Sequence, residues 1–304
     1  VNRKQILLSA VERTMEQYIL GLDDPEIFQL YQRLPSGKRL RAKLIIKIAG
    51  NGMKVIKTAA IVEMIHAASL LHDDVIDDAD MRRRKPSLNA LYGNKPAIMF
   101  GDILYSKAFF ELADIDRRVA RVISGAVIQL SQGELSDVAL SKKFNTDQQK
   151  YMRMIYQKTA SLIEASAEAA ALLADKDPKP YRVYGRNLGL AFQMIDDLLD
   201  ITSDALTLGK PALHDFAEGK CTLPYIYLYE ALDGSDQVKL RSLHATQLTG
   251  SQQQWIMQMM HRHHIIPKCF AQARSLIDES ISLMNDAGEG ALSKIAREMI
   301  EREY

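Results

Sequence analysis

The apolar residues of this 304-residue chain recur three and four positions apart, and that spacing limits what it can fold into. Ile61, Met64, Ile65 and Ala68 form one such series and Leu162, Ile163, Ala167 and Ala170 another, each lining one face of a helix. Alanine, leucine, methionine, glutamine and lysine fill these segments, while alternating β-branched runs are scarce. The spacing predicts an all-α fold. Turn signals at 34–37, 50–52, 85–87, 176–180, 208–211 and 286–290 divide the chain into segments of helix length, and none reads as a domain linker. No fixed-period repeat is present, so one large helical bundle over 1–304 with a central cavity is expected, not a solenoid.

A hydrophobic fraction of 47% with 25% charged residues is enough to bury a sizeable core. The formal charge of +1, from 39 basic and 38 acidic side chains, gives no general attraction for nucleic acid or an anionic membrane. Two cysteines, and charges interrupting the apolar positions of the first twenty residues, predict a reducing cytoplasm over a secreted, disulfide-bonded protein. No membrane span is expected, since even the apolar run AAIVEMIHAASLL contains Glu63 and His66.

The chemistry begins at His72, where HDDVIDDADMRRRKPS sets five aspartates within eight positions directly before four cations. Asp73 with Asp77, and Asp74 with Asp78, lie four apart, so on a helix each pair shares a face and repels by a few tenths of a kcal/mol. A second cluster, FQMIDDLLDI, repeats the spacing with Asp196, Asp197 and Asp200 inside another apolar helix. Paired carboxylates with no cysteine beside them specify hard oxygen coordination, which suits Mg²⁺ better than Zn²⁺. Mg²⁺ commonly completes its shell with water and phosphate oxygens, so a phosphorylated substrate follows. Cations at 37–41, Arg82 to Arg84, Lys158, Lys210 and Lys220 can balance such an anion.

In order, GKRLR at 37–41, HAASLLHDDVIDDADMRRRKPS at 66–87, GD at 101–102, QGE at 132–134, KTA at 158–160, FQMIDDLLD at 192–200, LGKP at 208–211 and GKCTLP at 219–224 give the chain its likeness to a known family. It resembles the trans-isoprenyl diphosphate synthases over most of its length. The resemblance implies an all-helical prenyltransferase that condenses isopentenyl diphosphate with an allylic diphosphate. By the same resemblance Asp73, Asp74, Asp77, Asp196, Asp197 and Asp200 hold three Mg²⁺ ions with the allylic diphosphate. Arg82, Lys158, Thr159, Gln193, Lys210 and Lys220 bind that diphosphate, and the six aspartates with Lys158 and Lys210 form the catalytic set. Lys38, Arg41, His66 and Arg83 form a separate, metal-free site for isopentenyl diphosphate. The lost proton goes to the departing diphosphate, so no side-chain base is sought, and a homodimer is usual.

Product length in this family depends on the depth of a tunnel for the growing chain. Where short-chain members carry a bulky aromatic, one turn before the first aspartates, this chain has Ala68 and Ser69, which implies a product longer than farnesyl. Met64, Ile65 and Ile61 follow along the helix as candidate walls or floor, and Val127 or Ile128 on helix 122–135 as the opposite wall. An octaprenyl-type product from farnesyl diphosphate is the expectation. Two positions depart from the family pattern: Ala42 replaces the usual proline and Arg84 the usual glycine.

The competing readings are a geranylgeranyl synthase, a class I terpene cyclase and a non-catalytic subunit of a heteromeric synthase. A cyclase usually mixes Asn, Ser or Thr with Glu in its second motif, and accessory subunits lose aspartates or lysines; DDLLD and the full cation set favour elongation. Glu63 and His66 have the E-x-x-H spacing of di-iron bundles, but no second copy exists. His261, His263 and His264 read as surface residues, and Trp255, Met257, Met259 and Met260 as packing residues of a C-terminal helix.

Overall fold

Capping residues mark where several helices begin. Asp24, Ser87, Asp147 and Asp233 each accept a backbone N–H from the first turn that follows, and Thr249 forms a capping box with Gln252. The computed structural model describes residues 3–83, 85–202 and 213–300, so Lys210, Arg84 and the turn expected at 208–211 lie outside the described residues.

In chain order the helices are α1 (Arg3–Leu20), α2 (Pro25–Arg33), α3 (Leu40–Ala49), α4 (Met53–Ile76), α5 (Leu88–Tyr92), α6 (Asn94–Leu112), α7 (Arg117–Ser141) and α8 (Gln148–Ile155). They continue with α9 (Ser161–Leu173), α10 (Pro178–Thr202), α11 (His214–Ala217), α12 (Leu223–Ala231), α13 (Gly234–Leu243), α14 (Gly250–Arg262), α15 (Ile265–Asp286) and α16 (Ser293–Ile300). Among the described residues the one strand pairing is a short hairpin, β1 (Met81–Arg82) with β2 (Lys85–Pro86). The chain is all-α, as its apolar spacing predicts. Pro178 and Pro180 lie in the first turn of α10 and not in a turn before it, because first-turn N–H groups have no intrahelical partner to lose.

The chain divides into two compact units, Val1–Ile128 with Leu162–Arg182 and Gln129–Ser161 with Val183–Tyr304. In the first, α4 packs against α1, α3 and α6. Ile61, Met64, Ile65 and Ala68 are all fully buried there, so the face chosen from their spacing is a core face. Among the described residues α4 is the one helix long and apolar enough to cross a membrane; 67% of that apolar window is buried inside the protein. In the second unit α12 packs on α8 and α15, and α15 also meets α14 and α16, around a core that includes Tyr151, Tyr184, Phe216, Tyr225, Met260 and Ile277. Phe216 stacks on Tyr225 at 4.2 Å between ring centroids, and the Tyr184 hydroxyl donates to the Leu292 carbonyl at 3.0 Å.

Residues Tyr156–Ala160 form one π turn between α8 and α9. Such a turn widens the helix and is common at functional sites. Two glycines make room for it. A Cβ on Gly133 of α7 would lie 2.3 Å from the Lys158 nitrogen, and one on Gly189 of α10 would lie 2.5 Å from the Ala160 Cα.

Candidate functional site

Asp73 and Asp74 occupy the last turn of α4, and Asp77 is its C-cap, donating its N–H to the Asp73 carbonyl at 2.8 Å. Asp78 leaves the helix with φ 49°, so the expected Asp74/Asp78 helical pair does not form; the chain turns before that register is completed. A helix C-terminus is the unfavourable end for carboxylates, since its dipole is negative there. Arg82 supplies a counter-charge: the hairpin folds back, and its Nε donates to Asp74 Oδ1 at 2.5 Å. Ser87 Oγ donates to the Ala79 carbonyl and Asn89 Nδ2 to the Asp74 and Ala79 carbonyls, tying down the hairpin base. Burial is the largest influence on Asp74 and raises its pKa, against the lowering effect of Arg82.

Four arginines, Arg82 among them, act on His66 in the same unit. Arg83 has φ 52° and donates to the Ser36 carbonyl at 2.8 Å, packing its guanidinium where a Cβ on Gly37 would lie. Arg41 stands in the first turn of α3, with its Nε buried and no hydrogen-bond partner for it among the described residues. Desolvation first, then Arg41, Arg83, Arg82 and Arg39, hold the His66 imidazole well below its usual pKa, so it is neutral at pH 7. Lys38 is exposed in the loop beside them. A neutral histidine beside several guanidinium groups, one with a buried N–H still able to donate, is chemistry suited to an anion.

This makes a stability prediction. A histidine whose folded pKa is depressed contributes stability present above about pH 6.5, the unfolded value, and lost as pH falls toward the folded value. His66→Gln is expected to lose less thermal stability than the parent between about pH 7.5 and pH 5.5. Parallel melting curves at the two pH values check it; equal losses would show that the His66 pKa is not depressed in the fold.

The second aspartate cluster lies near the end of the described part of α10, beside a pocket of about 200 Å³ lined by Asp137, Tyr151, Lys158, Thr159, Gln193, Asp197, Asp215, Lys220 and Cys221 among others. Asp197 is oriented from both sides: Tyr151 Oη donates to Oδ2 at 2.5 Å and Gln193 Nε2 to Oδ1 at 2.8 Å. Thr159 Oγ1 donates to Gln193 Oε1 at 2.8 Å, which fixes the amide's orientation. Burial, then the neighbouring Asp215, push the Asp197 carboxyl up to about 7. Asp200 is buried and its Oδ2 accepts the Asp215 N–H at 3.1 Å, while Asp196 is partly buried.

The cations of this unit carry counter-ions of their own. Lys158 Nζ lies 2.8 Å from Glu134 and 2.6 Å from Asp137, and Lys220 Nζ 3.4 Å from Glu218. Lys220 follows Gly219, whose φ of 90° and closeness to the Ser141 carbonyl require glycine. His244 Nε2 donates to the Gly219 carbonyl at 2.7 Å and so pins the turn that carries Lys220. Tyr151, Asp137, Asp215 and His244 lie outside the sequence landmarks; each acts through a contact 15 to 46 residues away along the chain, which no local spacing records.

Among the described residues no three His, Cys, Asp or Glu side chains converge into a ready metal site. The donor chemistry nonetheless fits Mg²⁺, an ion that takes a few carboxylates and fills its remaining positions from water and substrate. Carboxylates at a helix C-terminus, Asp74 buried among them, and a carboxyl raised to about 7 beside a second one both favour an added cation.

Of the chain-length candidates, Ala68, Met64, Ile65 and Ile61 are fully buried on α4, and the Ser69 hydroxyl donates to the His66 carbonyl at 2.9 Å. Val127 is partly buried, but Ile128 is 59% exposed and faces solvent, so the helix turns it away from any interior wall. His261 and His264 are exposed and His263 partly so, while α14 buries Ile256 and Met260. Trp255 is partly buried under Lys239, 4.1 Å from the ring centroid.

Residues 25–260 match the family model for polyprenyl synthetase. An octaprenyl pyrophosphate synthase from Helicobacter pylori superposes with a TM-score of 0.93 at 42% identity, covering 98% of this chain and 99% of that one. The octaprenyl diphosphate synthase of Haemophilus influenzae is 39% identical over 218 residues, 68% of this chain and 66% of that protein. A short chain isoprenyl diphosphate synthase from Methanothermobacter thermautotrophicus is 35% identical over 219 residues, 68% of this chain and 67% of that protein. The chain thus matches about two thirds of the length of these two relatives. By the family model and these likenesses, the chain belongs to the polyprenyl synthetase family of prenyltransferases and has its all-α isoprenoid synthase fold.

Proposed function

We propose that the chain is a trans-polyprenyl diphosphate synthase that adds successive isopentenyl diphosphate units to an allylic diphosphate, farnesyl diphosphate as starter, giving an octaprenyl-type product. The observation that carries this reading is the pocket that sets an oriented Asp197 beside Lys158 and Lys220. In this reading Asp73, Asp74 and Asp77, with Asp196, Asp197 and Asp200, hold three Mg²⁺ ions. Bound there, Mg²⁺ supplies Lewis-acid neutralisation of the diphosphate leaving group.

Arg82, Lys158, Lys210 and Lys220 bind the allylic diphosphate, and Thr159 and Gln193 line its site. As the carbon–oxygen bond breaks, both bonding electrons leave with the diphosphate, and these cations stabilise the growing negative charge more than they stabilise bound substrate. Lys38, Arg41, His66 and Arg83 hold isopentenyl diphosphate so that its double bond attacks the allylic cation. A proton then passes to the departed diphosphate. Buried Ala68 leaves the α4 face without the aromatic that would stop a chain at farnesyl. The free, buried thiols of Cys221 and Cys269 support a reducing, cytoplasmic setting, and a homodimer completes the reading.

The test is product analysis with labelled isopentenyl diphosphate, farnesyl diphosphate and Mg²⁺, with a chelator control. Mg²⁺-dependent chains longer than geranylgeranyl are expected, and Ala68→Phe is expected to shorten them by several isoprene units. Wild-type product ending at geranylgeranyl would remove the long-chain reading; no incorporation by folded protein would remove the synthase reading.

A further inference from the structure

Glu63 has no assigned role above, because its E-x-x-H spacing with His66 finds no second copy. Its carboxylate nevertheless sits at the start of the segment that carries Lys38 and Arg41. Glu63 is 2% exposed on α4, and its Oε1 accepts the Ala42 N–H at 2.9 Å. Ala42 is the third residue of α3, whose N-cap, Arg39, has φ 50° and offers no side-chain cap. The first-turn N–H groups of a helix lack intrahelical partners, and a buried one needs an acceptor. Here the acceptor comes from another helix, and it is charged, which suits the positive end of the helix dipole.

The same carboxylate lies 3.5 Å from Arg39 Nη1. Arg39 in turn holds Glu12 of α1 with a two-pronged contact, Nε to Oε1 at 2.5 Å and Nη2 to Oε2 at 3.0 Å. Three elements, α1, α3 and α4, therefore meet on one arginine–glutamate network, and the backbone it fixes runs directly through Lys38 to Arg41. Ala42 is essential to this arrangement. A proline at that position has no N–H to give to Glu63.

We infer that Glu63 is a positioning residue for isopentenyl diphosphate: by capping α3 through Ala42 and bracing Arg39, it sets the backbone register that aims the Arg41 guanidinium at its anion. The inference rests on the proposed assignment of Arg41 to that substrate. Position and charge make opposite demands on Glu63, which allows a sharp test. If its charge alone mattered, removing it would strengthen anion binding by the neighbouring arginines. If its reach matters, shortening the arm by one methylene weakens binding although the charge remains.

Glu63→Asp and Glu63→Gln separate the two, and both are small changes that a folded chain can carry. Isopentenyl diphosphate is titrated calorimetrically into each full-length protein without metal, and KM is then measured for each substrate. Glu63→Asp is expected to weaken isopentenyl diphosphate about tenfold, the size of one lost charge-assisted hydrogen bond, with the allylic KM moving less than about twofold. Glu63→Gln, which keeps the acceptor for Ala42, is expected to lose no more than about threefold. Unchanged binding in Glu63→Asp, tighter binding in Glu63→Gln, or equal shifts in both KM values would overturn the inference. No binding of isopentenyl diphosphate by the parent protein would instead overturn the site assignment, and the inference with it.

Discussion

Asp197→Asn is expected to lower kcat for prenyl transfer by about a thousandfold, the scale of losing several kcal/mol of charge stabilisation at a leaving group. The substitution keeps size and shape but removes an anionic oxygen that Tyr151 and Gln193 hold in fixed orientation. Stability should not follow activity down. Burial already disfavours the charged form of this carboxyl, so a neutral amide meets little new penalty. Single-turnover rates and a melting curve on the same preparation decide the matter. A rate within tenfold of the parent would remove Asp197 from the metal-binding set, while a parallel fall in melting temperature would make the loss one of folding.

Gly133→Ala is expected to cost about a hundredfold in kcat/KM for the allylic diphosphate, because misplacing a substrate-positioning group by about 1 Å has that effect. The added Cβ would meet the Lys158 nitrogen at 2.3 Å, the Gln157 carbonyl carbon at 2.7 Å and the Lys158 Cα at 2.7 Å. All three are backbone atoms, so no rotamer change relieves the overlap and the π turn itself must move, taking Lys158 and Thr159 with it. Overpacking of this kind costs about 1–3 kcal/mol, so the melting temperature should drop by several degrees as well. Gly125→Ala, in the same helix, is the control: nothing lies within 4 Å of its added Cβ, and a helical glycine replaced by alanine gains stability. Full activity in Gly133→Ala would show that the two backbones can separate without consequence for Lys158.

How much of this was legible beforehand depends on how local each signal is. The all-α class was readable because helical burial repeats every three to four residues, and the α4 series Ile61, Met64, Ile65 and Ala68 is buried accordingly. Both aspartate clusters stood out because their spacing is short and repeated. Their surroundings did not. Tyr151 reaches Asp197 across 46 positions and His244 reaches Gly219 across 25, distances at which sequence spacing carries no geometric information. The π turn was equally silent, since YQKTA has ordinary helix formers and what opens it is a pair of glycines on other helices. Asp78 was misjudged for the opposite reason: a regular four-residue spacing continued on paper past the point where α4 ends.

The ion pairs at Arg82, Lys158 and Lys220 bear on how an anionic substrate is captured. A cation beside its own carboxylate projects little field past a Debye length, so long-range attraction adds little to the encounter rate. Under the proposed reading recognition would be deferred until contact, when the incoming oxygens would take over a cation and release its carboxylate. At Arg82 the group released would be Asp74, one of the aspartates proposed to bind metal, so taking up the anion and freeing a metal ligand would be a single exchange of partners.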